Sequence, residues 1–325
     1  MTNAAHFSLL AELSRRNVGF CTFAAPLADY CTWRIGGPAD LLVEPQNIAQ
    51  IQRLRCFATH HALPLVTIGQ GSNLLFSDAG VRGIVLRLGP RFARLRIKEE
   101  RIEAEGGVWV PGLARKAQQA GLTGLEHIVG IPGTIGGLVL MNGGSHRQCI
   151  GDLVERVTLI SREGEIQELS AAECAFSYRH SALQDSGGII VAVGLACPRG
   201  DRNEIRQAML ADLRERRRKF PLRLPNCGSV FLSTAAMHAS VGPPGRIIEE
   251  RGLKGLRVGG AEVSLRHANF IVNRGNATAC DVLTLITALR DHVRNAIGFE
   301  LDCEVRYVTP EGEIVPAHHA CLPFS

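Results

Sequence analysis

GLTGLEHIVGIPGTIGGLVLMNGG, residues 121–144, places eight glycines in twenty-four positions around one proline and an apolar Leu-Val-Leu-Met run. Glycine has no Cβ, so its backbone can take φ > 0 and come into direct contact with a ligand. The run Gly130-Ile131-Pro132-Gly133-Thr134-Ile135-Gly136-Gly137 is too glycine-rich for a helix interior, where each Gly costs about 1 kcal/mol. It is also too apolar and too regularly spaced for a disordered linker. Two readings stand: a buried turn whose amides face a flat or anionic group, or a tight turn required only by packing.

Working upstream, the strand pattern Leu65-Val66-Thr67-Ile68 runs into a second glycine loop, Gly69-Gln70-Gly71-Ser72-Asn73-Leu74-Leu75. Glycines at alternate positions let successive amides point into one concavity, and Ser72 and Asn73 add polar groups for phosphate oxygens. An ordinary hairpin turn is the other reading. A dinucleotide fingerprint fails, because the third Gly is missing and Ser77-Asp78-Ala79-Gly80 reads as a turn before another strand. A P-loop fails for want of Gly-Lys-Ser/Thr. Further upstream, residues 1–20 read as a short helix with Leu9, Leu10 and Leu13 on one face, followed by a turn at Tyr30–Asp40 and a strand at Leu41–Val43. Asn47 caps a helix with Ile48, Ile51, Leu54 and Phe57 at helical spacing.

Between and beyond the loops the pattern alternates. Strands are expected at Gly83–Leu88, Leu95–Ile97 and Ile102–Glu105, a helix at Pro111–Ala120 closed by Gly121, a hairpin at Val154–Ser161 and Ile166–Leu169, and a buried strand at Ile189–Ala196. Asn203–Lys219 reads as a helix with Ile205, Met209, Leu210 and Leu213 inward. Its basic end, Arg214 to Lys219, is either a solvated face that suits the macrodipole or a phosphate site. A last amphipathic helix carries Val282, Leu285, Ile286, Leu289, Val293 and Ile297, opened by a Thr278/Asp281 capping box and closed by Gly298, before a strand at Cys303–Val308. The expected division is 1–200, in subdomains of about 20–90 and 91–200, a linking helix at 201–220, and a C-terminal domain at 221–325.

Composition narrows the function. The 325 residues are 46% hydrophobic and 21% charged with net charge +5, which suits a soluble globular protein with an anionic small-molecule ligand rather than nucleic acid. Ten scattered cysteines form no CxxC pair, so no zinc site is expected. The histidine pairs His60-His61 and His318-His319 lack helical ligand spacing, so no metal is expected at all. A signal-peptide h-region and a membrane-length apolar run are both missing, so reduced thiols and a cytoplasmic location are expected. A hydrolase elbow is incomplete at Gly228-Ser229, because Val230 and Phe231 follow.

The motifs taken together are far more specific. Thr32–Gly37, Gly69–Leu75, Gly124-Leu125-Glu126, Gly130–Gly137, Met141-Asn142, Phe176-Ser177-Tyr178-Arg179, Pro225–Phe231, His267–Asn273 and Glu304-Val305-Arg306 occur in one order over nearly the whole chain. In this the sequence resembles the UDP-N-acetylenolpyruvoylglucosamine reductases, also called UDP-N-acetylmuramate dehydrogenases, in their shorter type without an added substrate-capping subdomain. The resemblance implies an α+β fold: a two-part FAD-binding domain of the vanillyl-alcohol-oxidase type and a C-terminal α+β substrate domain. It implies non-covalent FAD and NADPH as reductant, with hydride passing to C3 of an enolpyruvyl ether and a proton to C2, in peptidoglycan precursor synthesis.

For individual residues, the resemblance implies Ser229 as proton donor, Arg179 as the clamp on the substrate carboxylate and Glu304 opposite it. Cofactor contacts fall on Gly69, Gln70, Gly71, Ser72, Asn73 and Leu74, and on Gly130, Ile131, Pro132, Gly133, Thr134, Gly136 and Gly137. Tyr178, Arg223, Asn226, Glu262 and His267 are candidate substrate contacts. The partner is a UDP-sugar enolpyruvyl ether; no nucleic acid or membrane partner is expected, and the protein is expected to be a monomer. Departures at Gly143–Gln148 and Leu232–Gly245 leave two alternatives: a paralogue acting on another enolpyruvyl sugar nucleotide, and an inactive flavin-binding protein. Retention of Ser229, Arg179 and Glu304 speaks against the second.

Overall fold

The structure, a computed structural model, describes residues 3–320, so Cys321 lies outside the described residues. The chain forms two units, neither of them continuous in sequence: one comprises 1–23, 41–70 and 83–216, the other 24–40, 71–82 and 217–325. The expected division followed chain order; the observed units do not, because two early segments belong with the C-terminal third.

The first unit is built around a five-stranded antiparallel sheet. Its order is Leu95–Lys98, Arg101–Glu105, Ile189–Ala196, Val154–Ile160, Ile166–Ser170, so the last strand in sequence lies in the middle. Val193 stands opposite both Ala104 and Val157. Alternate residues of this strand enter two different cores, Ile190, Val193 and Leu195 one and Ile189 and Val191 the other, which explains the near-continuous apolar run Ile-Ile-Val-Ala-Val that marks it in the sequence. The helix Val110–Ala120 buries Val110, Leu113, Ala114 and Ala117, has Pro111 in its first turn, and ends at Gly121 with φ 72°. Only glycine takes that left-handed cap at little cost. These residues form one core with Ile102, Ile135, Leu195 and Ile205.

A second core of the same unit gathers Leu10 and Leu13 from the helix Asn3–Ser14, and Ile51, Leu54 and Phe57 from the helix Ile48–His60. Asn47 caps the latter as expected, accepting from the Gln50 amide at 3.0 Å. Nearby, strands Phe20–Pro26, Pro38–Glu44, Val81–Arg87 and Leu65–Ile68 form a four-stranded sheet in that order. Leu65–Ile68 is parallel to Val81–Arg87, and the Gly69 loop leads into a strand, Leu74–Phe76, rather than into the helix of a dinucleotide fold.

The second unit has two three-stranded sheets, one of Arg257–Val258, Ala261–Val263 and Ile271–Asn273, the other of Ile314–Pro316, Arg306–Val308 and Leu74–Phe76. The helix Ala279–Ile297 buries Val282, Leu285, Ile286, Leu289 and Val293, and its Thr278/Asp281 capping box and Gly298 cap both form. Trp33 is fully buried, and its indole N–H donates to the Ile271 carbonyl at 2.8 Å. The departing segment after Phe231 is regular: Thr234 caps a helix Ala235–Ser240, and a second helix spans Pro244–Glu250.

Four expectations need correction. Gly136 and Gly137 do lie in a helix, Ile135–Leu140. Leu210 points outward at 40% exposed and Ile297 is 38% exposed, each on the margin of its apolar stripe. Glu304 precedes its strand, which begins at Arg306.

His127 is 3% exposed, and burial pushes its imidazole below the ordinary value. Burial lowers His267 and His318 in the same direction. Between those lowered values and about 6.5, the unfolded chain binds protons that the folded chain does not. Stability present above about pH 6.5 is therefore lost as pH falls. The thermal midpoint is expected to drop between pH 7.5 and 5.5, and His127→Phe to flatten that drop; an unchanged slope in the variant would show that His127 takes no part.

Candidate active site

In the first unit, backbone pairing fixes the Gly130–Gly137 segment, and the Thr134 side chain packs against Gly69. The segment Gly133–Gly136 zips onto Gly106–Val110: Val110 donates to the Gly133 carbonyl at 3.1 Å, Ile135 to Val108 at 2.9 Å, and Gly136 to Gly106 at 2.9 Å. A Cβ on Gly136 would stand 3.1 Å from the Gly106 carbonyl oxygen, and one on Gly69 would collide with Thr134. A Cβ on Gly130 would collide with the Arg216 side chain. Packing thus accounts for Gly69, Gly130 and Gly136. At Gly137 the same direction is open, the nearest atom being Thr134 Oγ1 at 3.8 Å. Pro132 and Gly137 form the exposed face of the segment, Gly130 and Ile131 are half-buried, and Gly133, Thr134 and Gly136 are buried. Gln70 is half-buried beside Gly69.

Arg216 is the member of the basic run that folds inward. Burial pushes its guanidinium below the ordinary value, against the pull of Asp212.

Arg179, also in the first unit, has φ 55°, a conformation rare for a residue with a Cβ. Its surroundings hold it there. Gln184 Nε2 donates to its carbonyl at 3.1 Å, its Nη2 donates to the Gly144 carbonyl at 3.2 Å, and its guanidinium carbon stands 5.4 Å from the exposed Tyr178 ring. The buried Asn142 amide donates to the Ser177 carbonyl at 2.8 Å and accepts from Gly151 at 3.0 Å, fixing the turn that carries both Tyr178 and Arg179.

In the second unit the chain brings Ser229, Glu304 and Asn73 together. Glu304 N–H donates to the Val230 carbonyl at 2.8 Å, and Asn73 Nδ2 donates to the Glu304 carbonyl at 3.1 Å. Gly71, with φ 59°, opens this loop and is buried, whereas Ser72, Asn73 and Leu74 are half-buried. Asn226 commits its amide to the turn before Ser229: Nδ2 donates to Leu224 at 2.7 Å, and Oδ1 accepts from Gly228 at 3.0 Å. Asn269 clamps the other side, accepting from Phe231 N–H and donating to Phe231 C=O, both at 2.9 Å. Cys227 is buried, which raises its thiol, and it donates to the Leu74 carbonyl at 3.3 Å.

The remaining candidates stand elsewhere in that unit. Arg223 and Glu262 line a small pocket of about 180 Å³ with Arg266 and Arg274, where Glu262 faces Arg274 at 3.6 Å. His267 packs edge-on against the stacked Phe220–Phe270 pair, at ring distances of 5.3 and 5.1 Å. Among the described residues no group of three His, Cys, Asp or Glu could hold a metal, and no helix is long and apolar enough to cross a membrane.

Comparison with known proteins covers both halves of the chain. An FAD binding domain matches residues 39–170, and the C-terminal domain of UDP-N-acetylenolpyruvoylglucosamine reductase matches 220–308. The enzyme of that name numbered 1 in Corynebacterium glutamicum is 46% identical over 292 residues, spanning 90% of this chain and 87% of that protein. The chain belongs to the UDP-N-acetylenolpyruvoylglucosamine reductase family. The family member from Heliobacterium modesticaldum is 45% identical over 88% of this chain and 90% of its own. The crystal structure of the reductase from Thermus caldophilus superposes with a TM-score of 0.75 at 34% identity, covering 89% of this chain and 98% of that one.

Within this family framework, sequence reasoning passed over Gln184 and gave no role to two amides inside its quoted motifs, Asn142 and Asn269. Each serves backbone atoms beside a candidate residue, a role no spacing rule marks. Asn269→Ala would leave the buried N–H and C=O of Phe231 without partners. The expected cost is about 2–4 kcal/mol, read as a lowered denaturant midpoint with unchanged m; a loss under about 0.5 kcal/mol would show that the clamp is dispensable.

Proposed function

We propose that this chain reduces the enolpyruvyl ether of UDP-N-acetylglucosamine-enolpyruvate to UDP-N-acetylmuramate, in the cytoplasm, as a step of peptidoglycan precursor synthesis. The observation that carries the reading is 46% identity to a reductase of that name across 90% of the chain, and the site residues are consistent with it. The backbone fits FAD: Gly137 leaves open space where a side chain would stand, on a segment joined through Thr134 to the Gly69 loop. The Gly69–Leu74 loop and the Gly130–Gly137 segment would hold the cofactor. Bound there and reduced by NADPH, FAD supplies the hydride that C3 of the enolpyruvyl group receives.

The chain's own residues supply the rest. Addition at C3 leaves negative charge spread over C2 and the carboxylate, so a cation at the carboxylate stabilises what develops. Arg179 takes that role, its planar fork suited to two carboxylate oxygens. A proton must then reach C2. Ser229 donates it, from a peptide held by Asn226 on one side and Asn269 on the other. Glu304, whose backbone is bonded to the residue after Ser229, stands ready to hydrogen-bond the same carboxylate when protonated.

The test is anaerobic NADPH oxidation by purified holoenzyme, with and without UDP-N-acetylglucosamine-enolpyruvate; strong stimulation is expected, and none would reject this substrate. In the Ser229→Ala variant, flavin reduction by NADPH is expected to be unchanged while reoxidation by substrate falls about 10²–10⁴-fold, the usual worth of a positioned proton donor. Full turnover in that variant would remove the role.

A further inference from the structure

The turn Gly143–Gln148 is strained, and its strain is held from outside. His146 and Arg147 both take positive φ, 54° and 63°. Two consecutive non-glycine residues in the left-handed region are each disfavoured, because the Cβ crowds the following carbonyl oxygen. Internal bonds close the turn: Gln148 donates to Ser145 and Ile150 to Gly143, both at 3.0 Å. Gly144 is obligatory inside it, because a Cβ there would collide with the Gln148 carbonyl.

Two neighbours tie the turn to different parts of the first unit. Ser145 Oγ donates to the His127 carbonyl at 2.5 Å. His146 Nε2 lies 3.1 Å from Asp212 Oδ1 and 3.9 Å from Glu215 Oε2, both on the helix Arg202–Lys219. Two residues before His146, the Gly144 carbonyl accepts from Arg179 Nη2 at 3.2 Å. A strained turn that carries an anchor for a guanidinium needs a fixed outer edge, and the His146 pair supplies it.

We propose that His146 is a positioning residue: its ion-pair contact with Asp212 latches the Gly143–Gln148 turn to the Arg202–Lys219 helix, and the latched turn sets the Gly144 carbonyl on which the Arg179 fork is seated. The proposal rests on the reading of Arg179 as the carboxylate clamp. It gives the departing sequence at Gly143–Gln148 a role in substrate affinity. The latch takes no part in the reduction of the cofactor by NADPH.

Three variants separate the latch from the turn. His146→Ala removes the donor; His146→Gly removes it while also relieving the positive φ; His146→Gln keeps an amide donor. With holoenzyme, His146→Ala and His146→Gly are expected to weaken binding of UDP-N-acetylglucosamine-enolpyruvate about tenfold by calorimetry, since small misplacements of a clamp carry effects of this size or larger. The kcat/KM for that substrate should fall alike, the rate of flavin reduction by NADPH should not move, and His146→Gln should recover most of the loss. In an Arg179→Ala background, His146→Ala should add nothing. Parental affinity in His146→Ala, additive losses in the double variant, or equal losses in both half-reactions would overturn the latch. Parental affinity in Arg179→Ala would instead overturn the reading of Arg179 and the latch with it, which distinguishes the two failures.

Discussion

One backbone pairing organises the glycine-rich segment of the first unit: Gly136 donating to the Gly106 carbonyl at 2.9 Å. The approach is close: a Cβ at 136 would stand 3.1 Å from that oxygen, a tight contact, and Thr134 packs against Gly69. A main-chain bond with no Cβ in the way is short, directional and insensitive to rotamers, so it fixes the segment as firmly as a strand pair would. The helix Ile135–Leu140 then begins from a defined point, and Leu138 and Val139 enter the core beside Ile102 and Leu113. At Gly136 the close approach gives the glycine a packing role, whereas at Gly137 the direction of a side chain is open.

Much of the fold was legible because its signals are local. Asn47, Thr278 with Asp281, Gly121 and Gly298 mark helix ends through hydrogen bonds within four residues, and the hairpin at Val154–Ile160 and Ile166–Ser170 is written in alternation and a Gly-bearing turn. The failures share a cause. Gly136 and Gly137 were read against intrinsic propensity, and a tertiary approach overrode it. Leu210 and Ile297 sit at the margins of apolar stripes, where period alone does not say which residue meets a neighbour. That residues 24–40 and 71–82 belong with 217–325 is a long-range fact with no local mark.

At the candidate site the chemistry-bearing residues were more legible than the roles of the amides that support them. Ser229, Arg179 and Glu304 stood out because family motifs surround them. Their supports are Asn142, Gln184, Asn226 and Asn269, whose amides each join two backbone groups or more. An amide offers donors and an acceptor at once, so it can replace a missing stretch of secondary structure between irregular segments. In one dimension it looks like any surface polar residue. Ser229 lies in an irregular peptide between two such amides, and Arg179 lies in a strained turn above another.

The discontinuous units also set the order in which the molecule can be finished. Residues 24–40 and 71–82 leave the ribosome early, but the remainder of their unit begins only at 217. At about 5–20 residues per second, these segments wait on the order of ten seconds for the chain that completes their packing. During that time Trp33, which ends fully enclosed with its N–H on the Ile271 carbonyl, has none of its final partners from the C-terminal third. The burial of Trp33 is therefore among the late events of folding during synthesis, since the carbonyl that accepts from its indole lies in the last part of the chain to be made.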